Sequence, residues 1–361
     1  MKRYFDPELE LKPDFVECMK RIYAWYEHQV IDRVPVRFSA HNAEYDVVES
    51  TDRWPDLKAR WYDVEYQVDK AVRSLEAGVF QGETFPLYWP NVGPNMFAGT
   101  LGCELKFGDV TSWAMPCMEE AADYVNLRYN RDSEYFQKIE ELTDCALERC
   151  KHRFMVGYTD MHPGLDCASA LLGVENLFME MVEDPDSVRA MCERVGTLCL
   201  QMMDEFHAKL KAHDQLSCTW IQIPSYETIH IPSDDHATMV SREMFNNIRL
   251  PSLIREMRHF DQNVFHVDGK GVANHLDALL ACDEIQGYQW VQGVGHDRPI
   301  MQWLPLIKRI QDRGKGVIVD LEVSELEPFI DAMRPEGIYL CIDESDPQTQ
   351  RDILKRLLKW K

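Results

Sequence analysis

Residues 263–271 read Asn263-Val-Phe-His-Val-Asp-Gly-Lys-Gly271. Val264, Phe265 and Val267 suit a buried strand, and Gly269 and Gly271 end it. His266 and Asp268 stand where that strand stops. Two residues apart on a strand, their side chains face the same way. An imidazole and a carboxylate on one face at a strand's carboxyl end make a candidate metal or proton-transfer pair. The alternative is a His–Asp hydrogen bond that only holds a loop.

The segments that follow repeat one unit. Ala273–Ala281 reads as a helix, Ile285–Val291 as a strand and Met301–Asp312 as a helix stopped by Gly314. Gly316–Leu321 and Gly337–Ile342 are the next strands. Ser324 and Glu327 have capping-box spacing for the helix between them, and Asp346 before Pro347 starts the final helix. Upstream the alternation is looser. Val34–Ala40, Phe85–Trp89, Arg153–Asp160 and Leu216–Ile223 read as strands. Asp132–Cys150 reads as a long helix, and another opens at Asp184-Pro185 and runs to Lys211. A hairpin is expected around Leu105–Trp113, and Pro251 should kink or split the helix Arg242–Arg258. Strands each followed by a helix predict one α/β domain over residues 1–361, a (β/α)8 TIM barrel. Met1–Asp32 is then an N-terminal helical extension and Asn91–Met115 an insertion after the second strand. An open doubly wound sheet ranks second, because no Gly-rich phosphate turn follows the first strand.

In a barrel, chemistry gathers at the carboxyl ends of the strands. Reading off those ends gives His41, Trp89, Asp160 with His162, and then Trp220 and Tyr226. The later strands give His266 and Asp268, Gln289 and Trp290, Asp320, and Cys341. Cys341 is the only cysteine at a predicted strand end. With His266 and Asp268 it supplies imidazole, carboxylate and thiolate, three ligands that suit zinc and leave an open position. Buried-thiol packing is the alternative for Cys341. Pocket wall and ordinary packing stand equal for Trp220, Tyr226 and Trp290. The loop after the fourth strand adds His230, Asp234, Asp235 and His236; at least one of the two aspartates reads as a turn or N-cap residue, and the two histidines as loop surface.

Composition narrows the partners. A net charge of −22 over 361 residues argues against nucleic acid, and against a polyanionic substrate without a local arginine cluster. Eleven cysteines without a C-x-x-C pair fit a reducing compartment. The N-terminus lacks the apolar run of a signal peptide, and no stretch approaches the ~20 apolar residues of a membrane span. The expected location is cytoplasmic.

These residues together resemble the uroporphyrinogen decarboxylase superfamily. The likeness rests on Val34-Pro-Val-Arg37, on Asp160-x-His162 leading into Leu165–Gly173, and on Ser241-x-x-Met-Phe245 running to Pro251. It continues through His266-x-Asp268-Gly269 and the evenly spaced last units. That superfamily contains cofactor-independent decarboxylases of uroporphyrinogen and zinc-dependent methyltransferases that work with a corrinoid protein. The decarboxylases carry arginines just after the first strand, where this chain has Phe38-Ser-Ala-His-Asn-Ala-Glu44. The methyltransferases carry H-x-C where this chain has His266-Val-Asp268.

The resemblance therefore implies a metal-dependent methyltransferase moving a methyl group between a corrinoid protein and a small acceptor. Zn2+ would be held by His266, Asp268 and Cys341, with methylcobalamin carried by a partner protein. Asp160, His266 and Asp268 are the expected catalytic residues. His41, Trp89, His162, Trp220, Tyr226, Gln289 and Trp290 are the expected substrate contacts. A small-molecule substrate, a corrinoid protein and a second copy of the chain are the candidate partners, and neither nucleic acid nor membrane is expected. A lyase using Asp160 or Asp268 without a cofactor, and a non-catalytic barrel that binds a small ligand, are the alternatives.

Overall fold

The computed structural model describes residues 8–40 and 53–360, so His41 lies outside the described residues. In chain order the strands are β1 (Val36–Phe38), β2 (Leu87–Tyr88), β3 (Glu104–Phe107), β4 (Ser112–Met115) and β5 (Met155–Val156). They continue as β6 (Ile229–His230), β7 (Gln262–Asp268), β8 (Gly287–Val291), β9 (Gly316–Leu321) and β10 (Ile338–Ile342). A six-stranded sheet runs β1-β10-β9-β8-β7-β6, every neighbouring pair parallel. β2 and β5 form a separate parallel pair, and β3 and β4 the antiparallel hairpin expected around Leu105–Trp113. The architecture is a mixed α/β half-barrel. Among the described residues the closed eight-stranded ring expected from the sequence does not form, because the ladders stop between β1 and β2 and between β5 and β6.

Side chains span both openings. At the first, the buried Glu83 carboxylate accepts from Val36 N at 2.7 Å and from Arg33 at 2.7 and 3.0 Å. Beside it, Thr84 Oγ1 accepts from Phe38 N at 2.8 Å. At the second, Gln215 Oε1 accepts from Val156 N at 2.8 Å and Ser217 Oγ from Ile229 N at 3.1 Å. Backbone groups that a ladder would satisfy are satisfied here by polar side chains.

The fourth parallel strand is Ile229–His230 rather than Leu216–Ile223. The latter makes only an isolated bridge, Ser217 to Ser225, because Gln222 at φ +59° turns the chain back just before Pro224. The helices follow the sequence more closely. Asp184 and Asp346 cap the helices Pro185–Ala212 and Pro347–Leu357. The stretch around Pro251 splits into a π-turn, Phe245–Arg249, and a helix, Leu250–Met257. The capping box lies at Glu322 and Glu325, two residues before the predicted Ser324 and Glu327.

Buried side chains from Leu9 to Trp360 form one continuous cluster. Its floor is the helix Phe15–Tyr26. Trp25 lies against Gly287 and Gly316, the first residues of β8 and β9, and donates to Gly337 O at 2.8 Å. A Cβ at Gly287 or Gly316 would meet the indole at 2.5 Å. The amino ends of the strands are therefore closed, and the polar residues face the other end. No helix among the described residues is long and apolar enough to cross a membrane.

Candidate metal centre

β7 carries His266 and Asp268 to its carboxyl end on one face, as the alternation of a strand requires. The loop after β6 runs alongside, with Pro232 O accepting from His266 N at 2.9 Å, and this brings Asp235 to the same place. One ligand atom from each of Asp235, His266 and Asp268 lies within 4.8 Å of the other two. His266 Nδ1 is 2.8 Å from Gln289 Oε1, its register partner on β8. The amide oxygen can only accept, so Nδ1 holds the proton and the lone pair of Nε2 is left for a ligand. Trp220 packs edge-on to the imidazole at 5.3 Å.

A second polar group abuts the first. The helix Gly164–Leu172 presents Asp166, whose Oδ1 accepts from His236 Nδ1 at 2.8 Å and from His236 N at 3.1 Å. Its Oδ2 accepts from Asp235 N at 3.1 Å. Asp166 therefore fixes the turn that carries Asp235. Burial works against the Asp166 charge, but the hydrogen bonds from His236 and the nearby His162 hold its carboxyl below the usual range. His162 Nε2 pairs with Asp160 at 2.7 Å, and its Nδ1 is 2.6 Å from Ser233 Oγ. Burial pulls this imidazole down, yet Asp160, Asp166 and Asp235 outweigh it and raise its pKa to about 9. Desolvation and the carboxylates of Asp166 and Asp268 push Asp235 up, with His266 and His162 pulling the other way.

Below the loop, Asp234 and Glu256 grip Arg249 in a fully buried ion triad, with Arg249 Nε 2.6 Å from Asp234 and NH2 2.8 Å from Glu256. The guanidinium lies so close to Gly164, at φ +75°, that a Cβ there would sit 2.4 Å from Nε. Only glycine fits where the helix bearing Asp166 begins.

Cys341 is outside the converging group. It is on β10, three strand spacings of about 4.8 Å from β7 along the sheet. Burial pushes its thiol up to about 11, against the pull of Arg37, which hydrogen-bonds it. Arg37, Gln222, Gln292, Asp320 and Cys341 border a cavity of about 490 Å3. Asp320 senses both Arg37 and His266, though burial still raises its pKa.

Other expected contacts fall elsewhere. Trp290 is fully buried on the opposite face of β8 from Gln289 and packs on Trp303 at 5.0 Å. Tyr226 is buried against Tyr23 of the floor helix at 5.4 Å, away from the mouth. Gln289 orients His266. Trp89 is half-buried just past β2. His230 is a buried residue of β6 packed on Phe260, its pKa driven down to about 3 by burial. Asp235, Asp166 and His236 were missed as site residues. The i, i+4 spacing of His162 and Asp166 beside Asp234-Asp235-His236 was the available signal.

No protein-family model matches the sequence, and no curated protein does. The fold has a relative. Among solved structures, a methyltransferase from Methanosarcina mazei is similar with a TM-score of 0.59, over 97% of this chain and 98% of that one, at 13% identity. At that identity the likeness speaks for the fold.

Proposed function

We propose that this chain is a metal-dependent methyltransferase of the uroporphyrinogen decarboxylase-like kind. In this reading a methyl group passes between methylcobalamin on a partner protein and a small acceptor. The observation that carries the reading is the convergence of Asp235, His266 and Asp268, with His266 already held by Gln289. The donor set suits a divalent ion. Burial and the neighbouring carboxylates disfavour the Asp235 charge, which a cation relieves, and one imidazole with two carboxylates matches zinc's tolerance for nitrogen and oxygen. Three protein donors leave a position for the acceptor. A zinc ion bound there supplies Lewis acidity, lowering the pKa of an acceptor group.

The chain's own residues do the rest. Gln289 keeps His266 in the tautomer that offers Nε2. Asp166 holds the Asp235 turn. His162, kept protonated by Asp160, stores a proton beside the group, and the cavity by Arg37 and Asp320 gives a small acceptor room. The carboxylate-rich mouth favours a neutral or cationic acceptor over a polyanion. The relative of similar fold, named as a methyltransferase, supports the reaction class.

The Asp160–His162 pair favours a second reading, a cofactor-independent lyase with His162 as general acid. Chelation separates the two. Protein purified without chelator is expected to hold one equivalent of metal per chain and to demethylate free methylcobalamin with an added acceptor. His266→Ala is expected to lose both metal and activity while unfolding as the wild type does. Full turnover in a demonstrably metal-free sample rejects the methyltransferase reading.

A further inference from the structure

The base of the β3–β4 hairpin holds a pair of cysteines with no part in the mouth. Cys103 precedes β3 and Cys117 follows β4, and their sulfurs are 3.4 Å apart. Cys103 is buried, while Cys117 is exposed. The backbone holds both. Cys117 N donates to Leu171 O at 2.9 Å, and Cys103 N to Ala98 O at 3.2 Å. Bringing the sulfurs to a bond of about 2.05 Å needs roughly an ångström of approach, within the reach of side-chain rotation.

We propose that Cys103 and Cys117 are a reversible dithiol site that reacts with low-molecular-weight disulfides. Cys117 is the attacking sulfur, since it reaches solvent and the Cys103 thiol donates a hydrogen bond that stabilises its thiolate. The Cys117 thiolate attacks one sulfur of the small disulfide, whose S–S bond breaks and releases one thiolate. Cys103 then gives up its proton to solvent and attacks Cys117, and the second small thiolate leaves. The protein loses two electrons and two protons, and the small disulfide becomes two thiols. Cys117 N donates to Leu171 O, a backbone bond that oxidation of the sulfurs leaves in place, so the new bond ties the base of the hairpin to the last turn of the helix whose first turn carries Asp166.

The test uses the native full chain and glutathione disulfide, followed by peptide mapping without reduction. The expected product is a Cys103–Cys117 cross-link, two thiols fewer per chain, fully reversed by dithiothreitol. Cys117→Ser, at an exposed position, is expected to leave Cys103 unmodified. Cys103→Ser is expected to trap a glutathione adduct on Cys117. A wild-type adduct that persists on Cys117 with no internal cross-link overturns the proposal, as does preferential reaction at Cys145, the other cysteine that is not buried. The wild-type result decides the matter even if Cys103→Ser folds poorly.

Discussion

The early and the late parallel strands bring residues to the mouth by different means. From β7 onward the strands run seven, five, six and five residues, and each finds its neighbour through backbone pairing. β1, β2, β5 and β6 run three, two, two and two residues, and much of their alignment rests on Glu83, Thr84, Gln215 and Ser217. Where ladders align strands, an inward side chain is free to serve a site. Where side chains replace the ladder, the same polar groups hold the fold. A mutation should therefore cost stability in the early half and site chemistry in the late half.

The largest effect is expected at Glu83. Glu83→Leu leaves the buried Arg33 guanidinium and its neighbour Arg21 without their shared carboxylate. Breaking a buried pair from one side typically costs ~3–5 kcal/mol. Urea unfolding at neutral pH should show that loss, and a change under about 1 kcal/mol, the range of exposed pairs, would break the contrast.

His162 comes next, because its pairing can be titrated away. Its pKa is raised from 6.5 to about 9, worth up to about 3 kcal/mol at 1.36 kcal/mol per pH unit. A raised folded-state pKa means this stability is full below pH ~6.5 and lost as pH rises through about 9. His162→Gln should thus be less stable than wild type at pH 6 and level with it above about pH 10. A deficit that is the same at both pH values would show that Asp160, Asp166 and Asp235 do not hold the charge.

In the late half, Gln289→Leu should leave unfolding unchanged while weakening metal binding ~10–100-fold, the usual cost of losing the partner that orients a ligating histidine. Isothermal titration with zinc would measure it. If Gln289→Leu costs as much stability as Glu83→Leu, the division between the halves fails. Cys341→Ser is the smallest change expected: metal stoichiometry stays at one per chain, because Asp235 supplies the third donor. Loss of the metal in that variant would return Cys341 to the ligand set.

The same division explains what could be read from the sequence. β7–β10 are visible as apolar runs between turn signals because pairing and burial both depend on Val, Ile, Phe and Tyr at fixed spacing. His266 and Asp268 were legible for that reason. Ile229–His230 was hidden, since a two-residue strand has no period and the apolar run Leu216–Ile223 competed with it. Asp235 was illegible as a ligand because its place depends on Asp166, 69 residues earlier, and a tertiary hydrogen bond leaves no local pattern. Trp290 and Gln289 were both assigned to the pocket although adjacent strand residues face opposite ways. Strict alternation from His266 would have kept Gln289 and excluded Trp290.

The indole of Trp25 beneath β8 and β9 ties three distant positions into one unit of sequence change. While tryptophan occupies position 25, neither Gly287 nor Gly316 can take even a methyl group without moving the floor helix or the strands. Once a smaller residue stands there, both glycines are released and a hole opens that larger side chains at 287 and 316 could fill. An alignment of relatives should show the three positions drifting together. In the laboratory, Gly316→Ala should be tolerated far better alongside Trp25→Leu than alone.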